Sequence, residues 1–531
     1  MAKQLVNLDA LIKREDLHKR PDEVVSPATK TRGIKIIELT GDSLFFQSLR
    51  KPDFQRETAS WGPEMVVDLV ESFLKGDFVP SVILWFSAEG KTFVIDGAHR
   101  LSALLAWVND DYGDKKMSRD FFSNFIPKEQ EKIADKTRKL MKERVGSYDE
   151  IRQAGKTPET STEKQVKYSR NAGNLAFDIQ WVEGNDPDTA EASFKKINQK
   201  ATLIDPTEFQ LIESRKKPNG IAARALIRAG VGHKFWGQMP QTTREEIATV
   251  AKEIYDMLFV PELESPIKTL DLPIAGKGYS ADTVKLLFDF VNLANDTIPK
   301  RGKNELADDS NGVETVKYIR KVKEIIALMC SNEKQSLGLH PAVYFYSISG
   351  RYQPTAFLAT VRLLMEMKEK SDFDSFTERR AKFEDFLASH RYFVNQIVNQ
   401  FGSGLKGFEW VYKLYRSILD NASSIEESEM VQILINGSKW RLKEAPVKGA
   451  KFDSETKNAI FLKAALASAP RCGVCNARIH KHSMTAGHID RREDGGINHS
   501  CNGQLEHPYC NHDYKERQHH AEVKAGEPRP T

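Results

Sequence analysis

C-G-V-C at residues 472–475 and H-P-Y-C at residues 507–510 bracket the stretch that decides the fold of the C-terminal region. The two pairs offer three thiolates and one imidazole, from Cys472, Cys475, His507 and Cys510. That set fills a tetrahedral zinc site and leaves no coordination position for water, so we expect a structural zinc. In so short a segment, zinc binding of about 10 kcal/mol would supply most of the folding energy.

A second constellation lies between and just after these pairs, and consists of His488, Gly495-Gly496, Asn502 and Asn511. In this order the residues resemble the HNH (ββα-metal) nuclease family, in which a hairpin carries the first His and a short helix carries the last His or Asn. The resemblance implies that His488 is the general base for water, that Asn502 holds that imidazole, and that Asn511 is a ligand of a catalytic Mg²⁺ or Mn²⁺. An imidazole titrates near working pH, and a hard cation prefers oxygen ligands.

The chain departs from that family at two positions. His507 stands where many members have Cys, and zinc accepts either residue. Gly487 stands where many members have an Asp that binds the cation, so Asp490, His512 or Asp513 would complete the cation site. Asp490 is the ligand that we predict from the sequence, and the alternative to a nuclease is a zinc ribbon that only binds a partner.

The cysteine content and the hydropathy of the chain indicate the cellular compartment that we expect for the protein. Four of the five cysteines lie between residues 472 and 510, which favours metal binding in a reducing environment. Cys330 is expected to be a small buried residue, and Cys501 is an alternative ligand, although its spacing suits neither pair. No run approaches the roughly 18 apolar residues of a membrane span. We expect a soluble, cytoplasmic protein, and the net charge of +4 names no partner.

The pattern near the N-terminus predicts a helix, two strands and a second helix. An apolar stripe of period 3.6 follows Pro63 and ends at Gly76; residues 81–86 and 91–96 are typical of strands; and residues 98–108 are again helical. A strand that ends in Asp96-Gly97 at a helix start is an anion site, because unpaired backbone N–H groups face the ligand.

F-Q-R at residues 54–56 and D-G-A-H-R-L at residues 96–101 resemble the ParB/sulfiredoxin-like domain that opens GmrSD-type, modification-dependent restriction proteins. F-K-K-I-N at residues 194–198 is similar to a further segment of that family. Ala98 stands where Gln is usual, which bears on hydrolysis more than on fold. The resemblance implies a pocket for a nucleoside triphosphate lined by Gln55, Arg56, Asp96, Gly97, His99 and Arg100. The alternatives are local: Asp96 as a helix cap, and Arg100 paired with a nearby carboxylate.

The remaining regions carry weaker signals. Residues 115–170 hold 15 Lys plus Arg against 9 Asp plus Glu, within a charged insertion at about 112–170 that we interpret as an arm or hinge. Helical stripes are predicted at 283–294, 314–330, 355–368 and 382–400, and again at 454–467 after a basic linker. Aromatic residues between 344 and 412 either stack on bases or, more commonly, pack a helical core.

The sequence therefore predicts an α+β multidomain protein. Its parts are a ParB-like α/β nucleotide-binding domain at 1–230, a helical domain at 231–440, a basic linker and helix at 441–470, and a zinc-stabilised ββα-metal (HNH) module at 471–520. The resemblance implies a DNA endonuclease of antiviral restriction in bacteria or archaea, acting on DNA such as modified phage DNA. The alternatives are a non-catalytic zinc-containing DNA-binding regulator and an RNA-directed HNH nuclease. Cutting both strands would take two protomers, as in a homo-oligomer, or two events.

Overall fold

The computed structural model describes residues 4–17, 31–55, 57–184, 186–200, 206–278, 280–298, 305–422, 424–437, 440–443 and 454–525. By packing, the chain divides into two compact units. The first comprises residues 1–240, 279–285 and 300–310, and the second comprises residues 241–278, 286–299 and 311–531. The predicted helical region and the predicted C-terminal module thus lie largely within one unit.

A mixed six-stranded sheet forms the centre of the first unit, in the order β1-β3-β5-β4-β6-β2. The central hairpin is antiparallel and pairs Leu84 with Val94 and Trp85 with Phe93, while β3 and β5 are parallel. The strands are β1 (Arg14–Glu15), β2 (Gly33–Lys35), β3 (Leu49–Pro52), β4 (Val82–Phe86), β5 (Thr92–Asp96) and β6 (Ala176–Trp181).

Helices cover both faces of this sheet. Because successive side chains of a strand point to opposite faces, the apolar core forms two clusters, one on each face. Leu84 and Val94 lie in the larger apolar cluster, whereas Trp85, Phe93 and Ile95 lie in a smaller one. The helices are α1 (Leu44–Ser48), α2 (Pro63–Lys75), α3 (Ala98–Val108), α4 (Lys116–Phe121), α5 (Lys128–Arg144), α6 (Tyr148–Ala154), α7 (Glu163–Asn174), α8 (Pro187–Lys200), α9 (Pro206–Glu213) and α10 (Pro218–Ile227). The predicted helices and strands between residues 63 and 108 are confirmed.

The charged insertion is part of the domain core, so its interpretation as an arm or hinge is wrong. Ile133 and Met141 on α5, Ile151 on α6 and Tyr168 on α7 are buried in the same cluster as α2 and α3. The large apolar residues of this stretch are few, but they are spaced to face one side. Its many Lys and Arg residues occupy the other side, which made the whole stretch look solvated in sequence.

Among its described residues, the second unit is helical apart from one hairpin. Helix α11 packs on α13, and α15 packs on α18. The helices are α11 (Gln241–Phe259), α12 (Ala281–Ala294, whose first turn is grouped with the first unit), α13 (Val313–Cys330), α14 (Pro341–Tyr344), α15 (Pro354–Lys370), α16 (Phe373–His390), α17 (Tyr392–Phe401), α18 (Phe408–Asn421), α19 (Glu427–Asn436), α20 (Ser454–Ala467) and α21 (Lys515–Ala525). None of the helices in the described ranges has the length and apolar character needed to cross a bilayer.

One predicted helix, at 382–400, is instead two helices that meet at Arg391. Arg391 is buried, and its guanidinium donates to the backbone carbonyl of Tyr346 at 2.9 Å. Among the aromatic residues considered for base stacking, Tyr344, Phe345, Tyr346 and Phe357 are at most 1 % exposed, so these four belong to the core.

Candidate functional site

Two short backbone turns assemble the Cys3His cluster. The first turn is tight, with the backbone amide of Asn476 bonded to the carbonyl of Cys472 at 2.9 Å and Asn476 at a φ of +56°. His507 and Cys510 come from the opposite side, where a π-helical turn (Cys510–Tyr514) leads into α21. The ligand atoms of the four residues all lie within 4.8 Å of one another. This confirms that the four residues predicted from the sequence meet in space.

The protonation of the cluster suits a metal. His507 Nε2 lies 3.1 Å from the carbonyl oxygen of Arg478, so Nε2 carries the proton and Nδ1 faces the sulfur atoms. Hydrogen bonding with the Cys475 and Cys510 thiols holds the pKa of Cys472 well below its usual range. An imidazole oriented through its second nitrogen, beside a ready thiolate, is the arrangement that zinc ligands adopt. The cluster can therefore hold a metal such as zinc.

The cluster is packed against the helical part of its own unit. Gly338, at a φ of +57°, lies so close to the module that a Cβ there would stand 2.7 Å from the carbonyl oxygen of Ser483 and 3.0 Å from the His507 ring. The Ser336 and Ser483 hydroxyls are hydrogen-bonded at 3.0 Å. These contacts fix the metal-ligand side of the module to the loop after α13.

A hairpin and a helix surround this cluster. Strand β7 (Thr485–His488) pairs antiparallel with β8 (Gly503–Glu506), so that Thr485 faces Glu506 and Gly487 faces Gln504. Helical residues follow from Cys510 onward. The order strand, strand, helix is the one expected of a ββα module, and it places His488 at the end of the first strand.

His488 is held by Asn498, a residue that the sequence analysis missed. Asn498 Oδ1 accepts from Arg492 Nε–H at 2.9 Å and lies 2.9 Å from His488 Nε2. Arginine is only a donor, so Oδ1 is the acceptor for both groups and His488 Nε2 carries a proton. His488 Nδ1 is then the ring nitrogen that can accept a proton.

Asn502 does not hold the imidazole, contrary to the role predicted for it. Its side chain instead closes the loop between β7 and β8: Oδ1 accepts from the amide of Asp490 at 2.7 Å, and Nδ2 donates to the carbonyls of Asp490 and Ile497, each at 3.0 Å. The side chain is 5 % exposed. Asn502 therefore shapes the loop on which Asn498 and His488 meet.

The residues considered for cation binding are spread over the helix start and the loop. Asn511 Nδ2 donates to Thr485 Oγ1 at 3.1 Å, which places its amide over the hairpin. Asp490 and His512 are exposed, and Asp513 is half-buried. Lys515 Nζ lies 3.2 Å from Glu506 Oε1 and also donates to the carbonyl of His488. Glu506 and Lys515 were not singled out from the sequence.

In the first unit, the described residues of the predicted nucleotide pocket gather where β5 meets α3. Gln55 Nε2 donates to the carbonyl of Ile95 at 2.8 Å, beside Asp96. Gly97 begins α3 at a φ of +89°, and a Cβ there would lie 2.6 Å from Val82. His99 Nε2 lies 2.7 Å from Ser60 Oγ.

Arg100 forms an ion pair with Asp96 at 2.8 Å and donates to the carbonyl of Ser81 at 3.0 Å. The local alternative weighed for Arg100, a carboxylate partner, is therefore present. Arg56 lies outside the described residues. The nucleotide pocket stays a prediction.

A buried ion network near these residues was also missed. Asp9 is fully buried and pairs with Lys51 at 2.6 Å, Arg14 at 3.0 Å and Arg228 at 2.9 Å. Burial opposes its ionisation, but Arg14, Lys51 and Arg228 together hold the pKa of Asp9 well below its usual range. Burial lowers the pKa of Lys51 to about 8. No sequence pattern marked this network, because the residues that meet at Asp9 lie up to 219 positions apart in the chain.

One part of the chain matches a known protein family. Residues 39–213 match the family model described as "GmrSD restriction endonuclease, N-terminal domain". The matched range includes strands β3–β6 and helices α1–α9. No curated protein and no solved structure matches the chain.

Proposed function

We propose that the chain is a metal-dependent DNA endonuclease of the restriction type, which acts against foreign DNA such as phage DNA. The match of residues 39–213 to a domain named for restriction endonucleases supports the biological role. The observation that carries the chemistry is the His488–Asn498 pair, at 2.9 Å, on a strand-strand-helix module around a Cys3His cluster. In this proposal the module is an HNH nuclease.

His488 is the general base of the proposed reaction. Asn498 keeps the proton on Nε2, so Nδ1 can take the proton from the attacking water. Lys515, which donates to the His488 carbonyl, fixes the backbone that carries the ring. Asn502 closes the loop between β7 and β8 through its hydrogen bonds to the carbonyls of Asp490 and Ile497.

Two divalent metals have separate roles in the proposal. Zinc at Cys472, Cys475, His507 and Cys510 stabilises the fold. A Mg²⁺ or Mn²⁺ ion, when bound, would neutralise charge on the phosphate and on the departing 3′ oxygen. Asn511 offers an amide oxygen for it, whereas Asp490, the ligand predicted from the sequence, is exposed on the loop.

The first unit is proposed to sense a nucleotide and so regulate cutting. The positive φ of Gly97 and the start of α3 present backbone N–H groups, the usual feature of a phosphate site. Gln55, His99 and Arg100 lie around that point, together with Asp96, and Arg56 is the sixth residue of the predicted set. In this proposal a nucleoside triphosphate changes the cleavage rate.

The test is cleavage of unmodified plasmid and of modified phage DNA, with and without Mg²⁺, and with ATP, GTP or CTP. We expect Mg²⁺-dependent nicked or linear product, which His488→Ala abolishes while zinc content stays the same. His482→Ala is the matched control, since His482 lies in the same module but pairs with Asp271 at 2.7 Å.

Full cutting by His488→Ala would contradict the assignment of the general base. DNA binding without cutting under every condition would favour the regulatory alternative, and cutting of RNA alone would favour the RNA-directed one.

A further inference from the structure

The carboxylate of Glu506 lies against Gly487 on one face of the β7–β8 hairpin. Because Thr485 faces Glu506 and Gly487 faces Gln504, these four residues share one face of the strand pair. Gly487 has no side chain, and a Cβ there would overlap the carboxylate of Glu506. The carboxylate of Glu506 therefore fills the space that a side chain at position 487 would take.

The two oxygens of this carboxylate have different surroundings. Glu506 is 0 % exposed, and its Oε1 accepts from Gln504 Nε2 at 2.7 Å and from Lys515 Nζ at 3.2 Å. Its Oε2 is buried without a hydrogen-bond partner. A buried carboxylate oxygen left without a partner is costly, and such groups in proteins are normally paired or bound to a metal.

A second oxygen ligand is held at Thr485, which lies on the same face of the strand pair as Glu506. Asn511 donates through Nδ2 to Thr485 Oγ1 at 3.1 Å, and the same hydroxyl lies 3.4 Å from the backbone oxygen of Glu506. With Nδ2 bonded to Thr485, the Oδ1 atom of Asn511 is the one available to a cation. A carboxylate and an amide oxygen are ligands of the type that Mg²⁺ and Mn²⁺ prefer.

We propose that Glu506, through Oε2, is the carboxylate ligand of the divalent cation in this module, and that it acts together with Asn511. The inference rests on the proposed function, because it concerns the cation of that same site. Glu506 supplies the carboxylate ligand that position 487, a glycine, cannot supply. It also replaces Asp490 as the predicted ligand, because Asp490 is exposed on the loop. Lys515 holds Oε1 and so orients Oε2.

The test measures Mn²⁺ binding directly, by electron paramagnetic resonance of free Mn²⁺, on the full-length, zinc-loaded protein. We expect Glu506→Gln to weaken Mn²⁺ binding at least about tenfold. Asp490→Asn and the exposed control Glu493→Gln should bind Mn²⁺ as the unchanged protein does. Zinc per chain, measured by mass spectrometry, shows whether each variant keeps its module folded.

A carboxylate swap keeps the proposal testable if Glu506→Gln loses zinc. Gly487→Asp alone should bind Mn²⁺ more weakly than the unchanged protein, because the new side chain would overlap the Glu506 carboxylate. Gly487→Asp combined with Glu506→Ala returns one carboxylate to the same place and should regain Mn²⁺ binding. Failure of this double variant to regain binding, with zinc present, would overturn the proposal.

The remaining outcomes separate this inference from the proposed function. Unchanged Mn²⁺ binding in Glu506→Gln, or loss in Asp490→Asn alone, would overturn the Glu506 assignment and leave the endonuclease proposal standing. Mn²⁺ binding that depends on Glu506 in a protein that cuts no nucleic acid would support the assignment and reject the endonuclease. No Mn²⁺ binding by the unchanged, zinc-loaded protein would overturn the assignment.

Discussion

Glu384 on α16 accepts a hydrogen bond at 2.8 Å from the backbone amide of Arg478, whose carbonyl in turn receives the Nε2 proton of His507 at 3.1 Å. The other carboxylate oxygen of Glu384 pairs with Arg380 at 2.7 Å, and Arg380 donates to the carbonyl of Gly338 at 3.0 Å. Glu384 and Arg380 are at most 1 % exposed. The buried Glu384–Arg380 ion pair on α16 therefore orients His507, one of the predicted zinc ligands, through the backbone of Arg478.

Glu384→Ala should destabilise this unit by about 3–5 kcal/mol, because it leaves Arg380 buried without its carboxylate. Zinc should also pass to a chelator faster, since Arg478 loses its support. Urea unfolding and chelator competition measure the two effects. Asp420→Ala, which breaks the exposed Arg416–Asp420 pair at 3.0 Å, is the control and should cost about 1 kcal/mol or less. Equal effects of the two substitutions would contradict the proposed role.

Cys475→Ser should reduce bound zinc from one per chain to near zero, since zinc thiolate sites need every ligand. The C-terminal module should then lose its protection against proteolysis, because the metal contributes on the order of 10 kcal/mol to folding such segments. Cys501→Ser is the matched control, since Cys501 is exposed and lies 3.2 Å from His499 Nδ1. Unchanged zinc in Cys475→Ser would rule out the four-residue cluster as the zinc site.

Asn498→Ala should lower the rate of DNA cutting by up to about 100-fold at unchanged DNA affinity, because the imidazole of His488 loses its orientation. It should also alter the pH profile of cutting, since the proton on Nε2 is no longer fixed by an acceptor. Asn502→Ala should instead reduce thermal stability, because three hydrogen bonds that close the loop disappear. Equal cutting rates and pH profiles for Asn498→Ala and the unchanged protein would argue against the orienting role.

Asp9→Asn should destabilise the first unit by about 3–5 kcal/mol at pH 7, because Arg14, Lys51 and Arg228 lose a shared carboxylate. The pKa of Asp9 is depressed in the folded state, so its contribution is complete above its ordinary value of 3.8 and is lost as pH falls below that value. Denaturant unfolding between pH 7 and pH 3 should show the difference between the two proteins narrowing below about pH 4. A constant difference over that range would contradict the ion network.

Much of the local structure could be predicted from the sequence. The stripe after Pro63 and the strands before Gly97 depend on hydrogen bonds between near neighbours and on apolar spacing, and both are visible in the chain. The helix at 454–467 was predicted on the same ground and has these bounds. The break at Arg391 could not be predicted in this way, because its guanidinium bonds to a carbonyl 45 positions earlier.

The four residues of the Cys3His cluster could be predicted from the sequence itself. Two short spacings of Cys and His favour this set over one that includes Cys501, and the structure brings the ligand atoms of Cys472, Cys475, His507 and Cys510 within 4.8 Å of one another. The partner of His488 was decided only by the tertiary structure: the sequence pattern pointed to Asn502, but the loop geometry brings Asn498 to the imidazole and turns Asn502 to the backbone. The position of Glu506 over Gly487 was likewise decided by strand register, which pairs residues that the sequence separates by about twenty positions.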